Sequence, residues 1–269
     1  SAGPRLRAQS PVFDRAGIAL GLYRPSFPND FTTLDAYERA AGRRIGIVHW
    51  FAHWGGWKGA FAASDLLVEE LDMHEMQAAN SQLQMLTRGM LPTGQTLDKV
   101  LSAGTMNAVT KKFADLGMPL EPMKQFKPWL LSLILQGFEW QKAGFDADLG
   151  LDKHFYDRAV AGGKPVQGLE TLAFQLSRFD EMSMEMQDRL LSETLKEMET
   201  TKTSFTRMAD AWKRGDVPTI EQLVLKDLKA EPQMYDRLLI ERNRTWLPKI
   251  EALFARPKPA FVVVGAAHL

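Results

Sequence analysis

The chain has 269 residues, of which 45% are hydrophobic and 25% charged, so it can bury one large core or two modest ones and is expected to be globular. Its 33 basic and 33 acidic residues cancel, without a long run of either sign, which argues against nucleic-acid binding and electrostatic attachment to a membrane. The lack of cysteine excludes disulfides, a thiolate nucleophile and a cysteine-based zinc site.

The first elements are predicted from short apolar runs and their stop signals. Residues 16–23 are apolar and lead into prolines, which predicts a buried strand followed by a loop. Residues 32–40 begin with a capping pattern and end before a glycine, as helices do. Further strands are predicted at residues 44–51 and 65–73, and one face of the latter carries two carboxylates.

From residue 74 to about residue 256 the pattern is almost wholly helical, with glycine and proline turn signals and one short strand at 165–169. A β-branched run at 260–264 is typical of a strand buried on both faces in a parallel sheet. The predicted fold is therefore α/β, with a small, mostly parallel central sheet and a large helical insertion. One helical stripe, spaced by three and four, is predicted to face the core: Leu191, Leu195, Met198, Phe205, Met208 and Trp212.

No stretch approaches the roughly 20 apolar residues of a membrane span, and residues 1–7 lack the apolar core of a signal peptide. We therefore expect the chain as given to be soluble. Its compartment stays open, because a chain without cysteine suits the cytoplasm and the periplasm or exterior equally.

Two predicted strands end in the same Gly-x-x-His pattern, at residues 46–49 and 265–268. In an α/β sheet, ligands gather at the carboxyl ends of parallel strands, where a glycine permits close approach and a histidine can project into the crevice. His49 and His268 could thus share one ligand or metal ion. The alternative is that each is a hydrogen-bonded structural residue.

The surrounding motifs extend over residues 62–269. They are residues 66–72, Lys127-Pro128-Trp129, Gly150-Leu151-Asp152 with Phe155, Gly168-Leu169-Glu170-Thr171, Glu241-Arg242-Asn243-Arg244 with Trp246, and residues 261–269. In that order they resemble the TraB/GumN family, and the resemblance implies a hydrolase. The resemblance implies a fold like that of Tiki proteases and of erythromycin-esterase-like and ChaN-like proteins, in which paired Gly-x-x-His motifs and a glutamate line one site.

Carried over by position, the resemblance implies a site made of His49, Glu70, Glu170, Arg242 and His268. Neutral imidazoles and a carboxylate can hold a divalent cation such as Mn, Co or Zn, which activates water and polarises a carbonyl. We assign His49, Glu70 and His268 to the metal and Glu170 and Arg242 to catalysis. The expected reaction is hydrolysis of a peptide, ester or amide bond in a peptide or small-molecule substrate.

A metal-free version of the site is the alternative within the same class. One histidine would then serve as general base for water, and Arg242 would stabilise developing negative charge.

Each candidate also has a purely structural interpretation. Glu70 and Asp72 could face solvent on an edge strand. Glu170 could simply favour the positive N-terminus of a helix, and Glu241 and Arg242 could form ordinary surface ion pairs.

Residues 1–60 depart from the family pattern, so we divide the chain into an atypical N-terminal segment that contributes strands and a family-like domain, C-terminally truncated, at 61–269. Residues 20–54 resemble the start of a mannanase-type glycoside hydrolase, which makes glycoside hydrolysis an alternative, although too few strands follow to build a (β/α)8 barrel. A third possibility is a non-enzymatic interaction module, in which the long helices at 183–214 and 231–256 expose an apolar face and form a homo-oligomer.

Overall fold

The computed structural model describes residues 61–268 except positions 63 and 215. The strands predicted at 16–23 and 44–51, the helix predicted at 32–40 and the proposed N-terminal segment all lie outside the described residues. The mannanase resemblance lies there too.

Three strands form a parallel sheet: β1 (Leu66–Leu71), β2 (Val166–Glu170) and β3 (Ala260–Val263). Their order is β2-β1-β3, and both pairings are parallel. The three strands predicted for this part of the chain are confirmed. Because β1 lies between the other two, the edge-strand interpretation of Glu70 is wrong.

The helices connect the strands and account for most of the described residues, as predicted. In chain order they are α1 (Met73–Gln77), α2 (Ala79–Gly89), α3 (Leu97–Val100), α4 (Ala103–Asp115), α5 (Pro128–Lys142), α6 (Leu151–Ala161), α7 (Leu172–Asp180), α8 (Met184–Arg214), α9 (Val217–Lys229), α10 (Pro232–Tyr235) and α11 (Glu241–Leu253). Short 3-10 helices lie at Glu121–Gln125, Ala147–Leu149 and Ala266–His268, and a π-helical turn at Asp236–Ile240.

Local sequence signals explain several helix ends. The side chains of Ser102 and Thr171 accept hydrogen bonds from backbone N–H groups three residues on, so they cap α4 and α7. Pro128 begins α5, where its missing N–H costs no hydrogen bond. Gly117 follows α4 with a φ of 66°, and Met118 N–H donates back to Phe113, as in a Schellman motif.

Helices cover both faces of the sheet. On one face, Leu66 and Val68 of β1 pack against Trp246 and Ile250 of α11. On the other, Leu67 packs with Phe61 and with Phe155 of α6. Successive residues of β1 therefore enter different layers, which decides where its two adjacent glutamates go.

The remaining helices form a second core, in which α4, α5 and α8 contribute Val109, Leu135 and Leu191 among others. The predicted core stripe of α8 is confirmed through Met198. It is wrong for Trp212, which is 38% exposed, because the last turns of α8 no longer pack in that core and instead meet α9.

The described residues contribute three strands, far from the eight of a barrel.

The apolar stripe of α8 is buried within the chain as far as Met198, so this half of the helix exposes no apolar face of the kind expected for an interaction module. None of the described helices is long and apolar enough to cross a membrane.

The contact between α2 and α5 depends on the absence of a side chain at Gly89. A Cβ there would lie 2.2 Å from Leu130 Cδ2 and 3.0 Å from Leu130 Cβ, and Leu130 is buried. We expect Gly89→Ala to lower the free energy of unfolding by about 1–3 kcal/mol through overpacking. Gly137→Ala in α5 is the control, since its Cβ would meet nothing within 4 Å and should leave stability equal or higher. Urea unfolding of both variants compares them, and equal stabilities would contradict this packing.

Candidate functional site

The carboxyl edge of the sheet brings together residues that are far apart in sequence. Glu70 stands near the end of β1 and Glu170 is the last residue of β2. The turn after β3 contains Gly265 and leads into the 3-10 helix that carries His268. Because all three strands are parallel, these groups meet at the edge where α/β proteins usually place ligands.

Arg242 on α11 joins the carboxylates of Glu70 and Glu170. Its Nε lies 3.2 and 3.1 Å from the two oxygens of Glu170, and one terminal nitrogen lies 2.7 Å from Glu170 Oε1 and also hydrogen-bonds to Glu70. The other terminal nitrogen donates to Leu238 O at 3.1 Å, within the π-helical turn that precedes α11. The guanidinium thus spans β1, β2 and the start of α11.

Burial alone would lower the pKa of Arg242, but hydrogen bonding to Glu170 and the charge of Glu70 outweigh it and raise the pKa above its ordinary value. Arg242 is 8% exposed, so the surface-ion-pair interpretation is wrong for it. Its neighbour Glu241 does form such a pair, 2.7 Å from Arg178.

Glu170 is fully engaged by protein groups. Besides Arg242, the indole N–H of Trp246 donates to its Oε2 at 2.9 Å. The partners of the Glu170 carboxylate are thus Arg242 and Trp246, and the cap of the following helix is Thr171.

Glu70 is held from three sides. Gly265 N–H donates to its Oε2 at 3.2 Å, and Gln175 Nε2 lies 3.4 Å from its Oε1, to which Arg242 also donates. A Cβ on Gly265 would lie 3.2 Å from that same Oε2. The glycine of the second Gly-x-x-His pattern therefore lets the strand end approach Glu70 closely.

His268 completes the group. Its Nε2 lies 3.8 Å from Glu70 Oε1, its Nδ1 lies 2.6 Å from Asn243 Oδ1, and its ring centre lies 4.3 Å from that of Trp246. Burial lowers the pKa of this imidazole to about 4; the charge of Glu70 opposes the shift and that of Arg242 adds to it. The ring is therefore neutral at pH 7.

Four of the five predicted site residues, Glu70, Glu170, Arg242 and His268, thus come together, while His49 lies outside the described residues. Within residues 61–268, no three histidine or acidic side chains are close enough to hold a metal ion by themselves.

Sequence reasoning missed three residues of this group. Trp246 stands one helical turn after Arg242, a spacing that could have placed both on one face of α11. Asn243 lies within the quoted motif, beside Arg242. Gln175 carried no signal, because only the packing of α7 against the sheet brings it to Glu70.

Glu69 faces the opposite layer from Glu70. It is 1% exposed, neither carboxyl oxygen has a hydrogen bond of ordinary geometry, and only the backbone N–H of Met73 gives it weak support. Burial first, and then the charges of Asp152 and Asp72, raise the pKa of Glu69 to about 8. The folded protein therefore keeps this carboxyl largely protonated at pH 7.

Comparison with known proteins adds a family match. A model described as the TraB/PrgY/gumN family matches residues 56–269. The chain is also 26% identical over 182 residues to the "Uncharacterized protein YbaP" of Escherichia coli strain K12, and equally to that of Shigella flexneri. Each match covers 66% of this chain, and the chain spans 66% of the length of these relatives. No solved structure matches the chain significantly.

Arg242→Met should reduce the free energy of unfolding by about 3–5 kcal/mol, because it leaves two carboxylates facing each other without their shared cation. Arg244→Met is the matched control on the same helix. That side chain is 72% exposed and lies 3.8 Å from Asp236, so its loss should cost less than about 1 kcal/mol. Urea unfolding measures both, and adding Glu170→Gln to Arg242→Met should restore part of the loss. Equal effects of the two arginine variants on stability would contradict the view that Arg242 is the shared cation of Glu70 and Glu170.

Glu69 should make stability fall with rising pH. Its pKa is about 8 in the folded chain against an ordinary 4.5, so between these values the unfolded chain releases a proton that the folded chain keeps. This contribution is fully present below pH 4.5, declines by up to about 1.4 kcal/mol per pH unit, and is lost above pH 8. Glu69→Gln should remove the slope, whereas the exposed Glu251→Gln should keep it, in unfolding experiments with EDTA. Parallel pH profiles for the parent and Glu69→Gln would refute this.

Proposed function

The chain belongs to the TraB/PrgY/gumN family, and from that membership and the site geometry we propose that it is a hydrolase of peptide, ester or amide bonds that uses a divalent cation. One observation carries the proposal. A carboxylate and a neutral imidazole face each other at 3.8 Å at the carboxyl edge of a parallel sheet, where α/β proteins usually bind ligands, and they come from residues nearly two hundred positions apart.

The donor chemistry of this pair fits a divalent cation. Imidazole nitrogen and carboxylate oxygen are the ligands that Mn, Co and Zn take from proteins. At pH 7 the low pKa of His268 keeps the ring neutral, as a ligand must be. Glu70 and His268 would supply two ligands, and the predicted third, His49, would come from the N-terminal part of the chain. When bound there, the cation supplies an acidic water and polarises the scissile carbonyl.

The surrounding residues support this pair. Arg242 holds Glu70 through a hydrogen bond and is itself anchored on Glu170, which is also bonded to Trp246. The side chain of Glu170 is only 2% exposed, against 25% for Glu70, so Glu170 is better suited to positioning Arg242 than to touching a substrate. Arg242 donates a hydrogen bond to Glu70, so its charge would stabilise the negative charge that develops on a substrate oxygen nearby.

The metal-free mechanism rests on the same side chain. A buried, neutral His268 could take a proton from water, with Arg242 again offsetting negative charge. Both mechanisms need His268, but only one is abolished by a chelator. The substrate would be a peptide or small molecule, and a homo-oligomeric state remains a separate prediction.

Metal content and thermal stability of the purified chain test the proposal. We expect Mn, Co or Zn at about 100 times its Kd to stabilise the parent by about 2.7 kcal/mol. His268→Ala and Glu70→Gln should lose that stabilisation. His74→Ala, which removes an exposed histidine on α1, should keep it.

A panel of peptide, ester and amide substrates, assayed with and without EDTA, completes the test. Hydrolysis that needs added metal and His268 supports the proposal. Hydrolysis that needs His268 and resists EDTA would favour the metal-free mechanism, and neither metal binding nor hydrolysis in the parent would contradict both.

A further inference from the structure

The two ring nitrogens of His268 face different partners. Nδ1 lies 2.6 Å from Asn243 Oδ1 and Nε2 lies 3.8 Å from Glu70 Oε1. A neutral imidazole carries its hydrogen on one nitrogen only, and the other nitrogen alone can accept a proton or bind a cation. Which nitrogen carries the hydrogen therefore decides what His268 can do at the edge of the sheet.

The contacts distinguish the two nitrogens. An amide oxygen 2.6 Å from a bare ring nitrogen would set two lone pairs against each other, so Nδ1 is the nitrogen that donates to Asn243. The 3.8 Å to Glu70 exceeds hydrogen-bond length, so Glu70 does not hold a hydrogen on Nε2. Glu70 already accepts from Gly265 and Arg242.

We propose that Asn243 is a positioning residue that fixes His268 as the Nδ1–H tautomer and so leaves Nε2 bare towards Glu70. This deepens the proposed function and rests on it, since a bare Nε2 is the atom that would bind the cation or take a proton from water. Asn243 is well placed for this role because it lies on α11 between Arg242, which is anchored to two strands, and Trp246, whose ring packs against His268.

Without Asn243 the balance between the tautomers should reverse. The nearest acceptor for the ring would then be the Glu70 carboxylate, and a small ring movement would give an Nε2–H hydrogen bond to it. The bare nitrogen would then point away from the carboxylate. Loss of such an orienting partner typically weakens metal binding about 10–100-fold.

The tautomer can be observed directly. The chain has five histidines, so long-range 1H–15N spectra of histidine-labelled protein at pH 7 with EDTA are tractable, and His268→Ala identifies the His268 signals. We expect an Nδ1–H pattern in the parent, an increase of Nε2–H in Asn243→Leu, and the Nδ1–H pattern restored in Asn243→Asp, which keeps an acceptor. Thermal unfolding checks that each variant is folded.

An Nε2–H pattern in the parent, or an unchanged Nδ1–H pattern in Asn243→Leu, would overturn the proposal. If Asn243→Leu does not fold, the parent and Asn243→Asp spectra still decide, because both must show Nδ1–H. The spectra are recorded without metal, so the proposed function can fail in the metal and substrate assays while the tautomer assignment stands. A measurement of Mn or Co affinity links the tautomer assignment to the proposed function. We expect the affinity to be about 10–100-fold weaker in Asn243→Leu and restored in Asn243→Asp.

Discussion

The arrangement of the site depends on one buried cation shared by two carboxylates. Arg242 reaches from α11 to Glu70 on the central strand and to Glu170 on a neighbouring strand, and it is largely shielded from water. Removing Arg242 would leave two carboxylates without their shared cation, which is costly where water cannot screen the charge, whereas removing one carboxylate would leave the other still paired with Arg242. The ion cluster therefore ties α11 to two strands of the sheet, next to Asn243 and Trp246.

Two adjacent glutamates on β1 lie in different surroundings because their side chains point to opposite faces of the sheet. Alternate residues of a strand point to opposite faces, so Glu70 meets Arg242 while Glu69 enters the layer of α6. The first accepts hydrogen bonds from Arg242 and from the backbone N–H of Gly265. The second has no cation beside it among the described residues and keeps its proton instead, with a pKa of about 8. Two neighbouring positions of β1 therefore point to opposite faces of the sheet, one with an ion cluster and the other with a neutral carboxyl in the core.

How far the sequence predicts this structure depends on how local each signal is. The strands of the described region were predictable from local patterns, such as the alternation at 65–73 and the β-branched run at 260–264. Glu70, Glu170, Arg242 and His268 were found through their motifs. The burial of Arg242 and the contact of Gln175 with Glu70 were not, since both depend on how distant elements pack. Trp212 follows the periodicity of α8, but periodicity does not say where the covering helix ends. The prediction of His49 as a metal ligand stays a prediction.

The π-helical turn at Asp236–Ile240 affects the direction in which the side chains of α11 point around the helix axis. Such a turn holds one more residue than the regular helix would, and each added residue rotates the following side chains by about 100° around the axis. The extra residue of this turn thus contributes to the angle around the helix axis at which Arg242, Asn243 and Trp246 lie. Losing a single residue from that turn would leave the composition of α11 intact and aim its polar groups at the wrong neighbours. The site is therefore encoded as much by a count of residues as by their kinds.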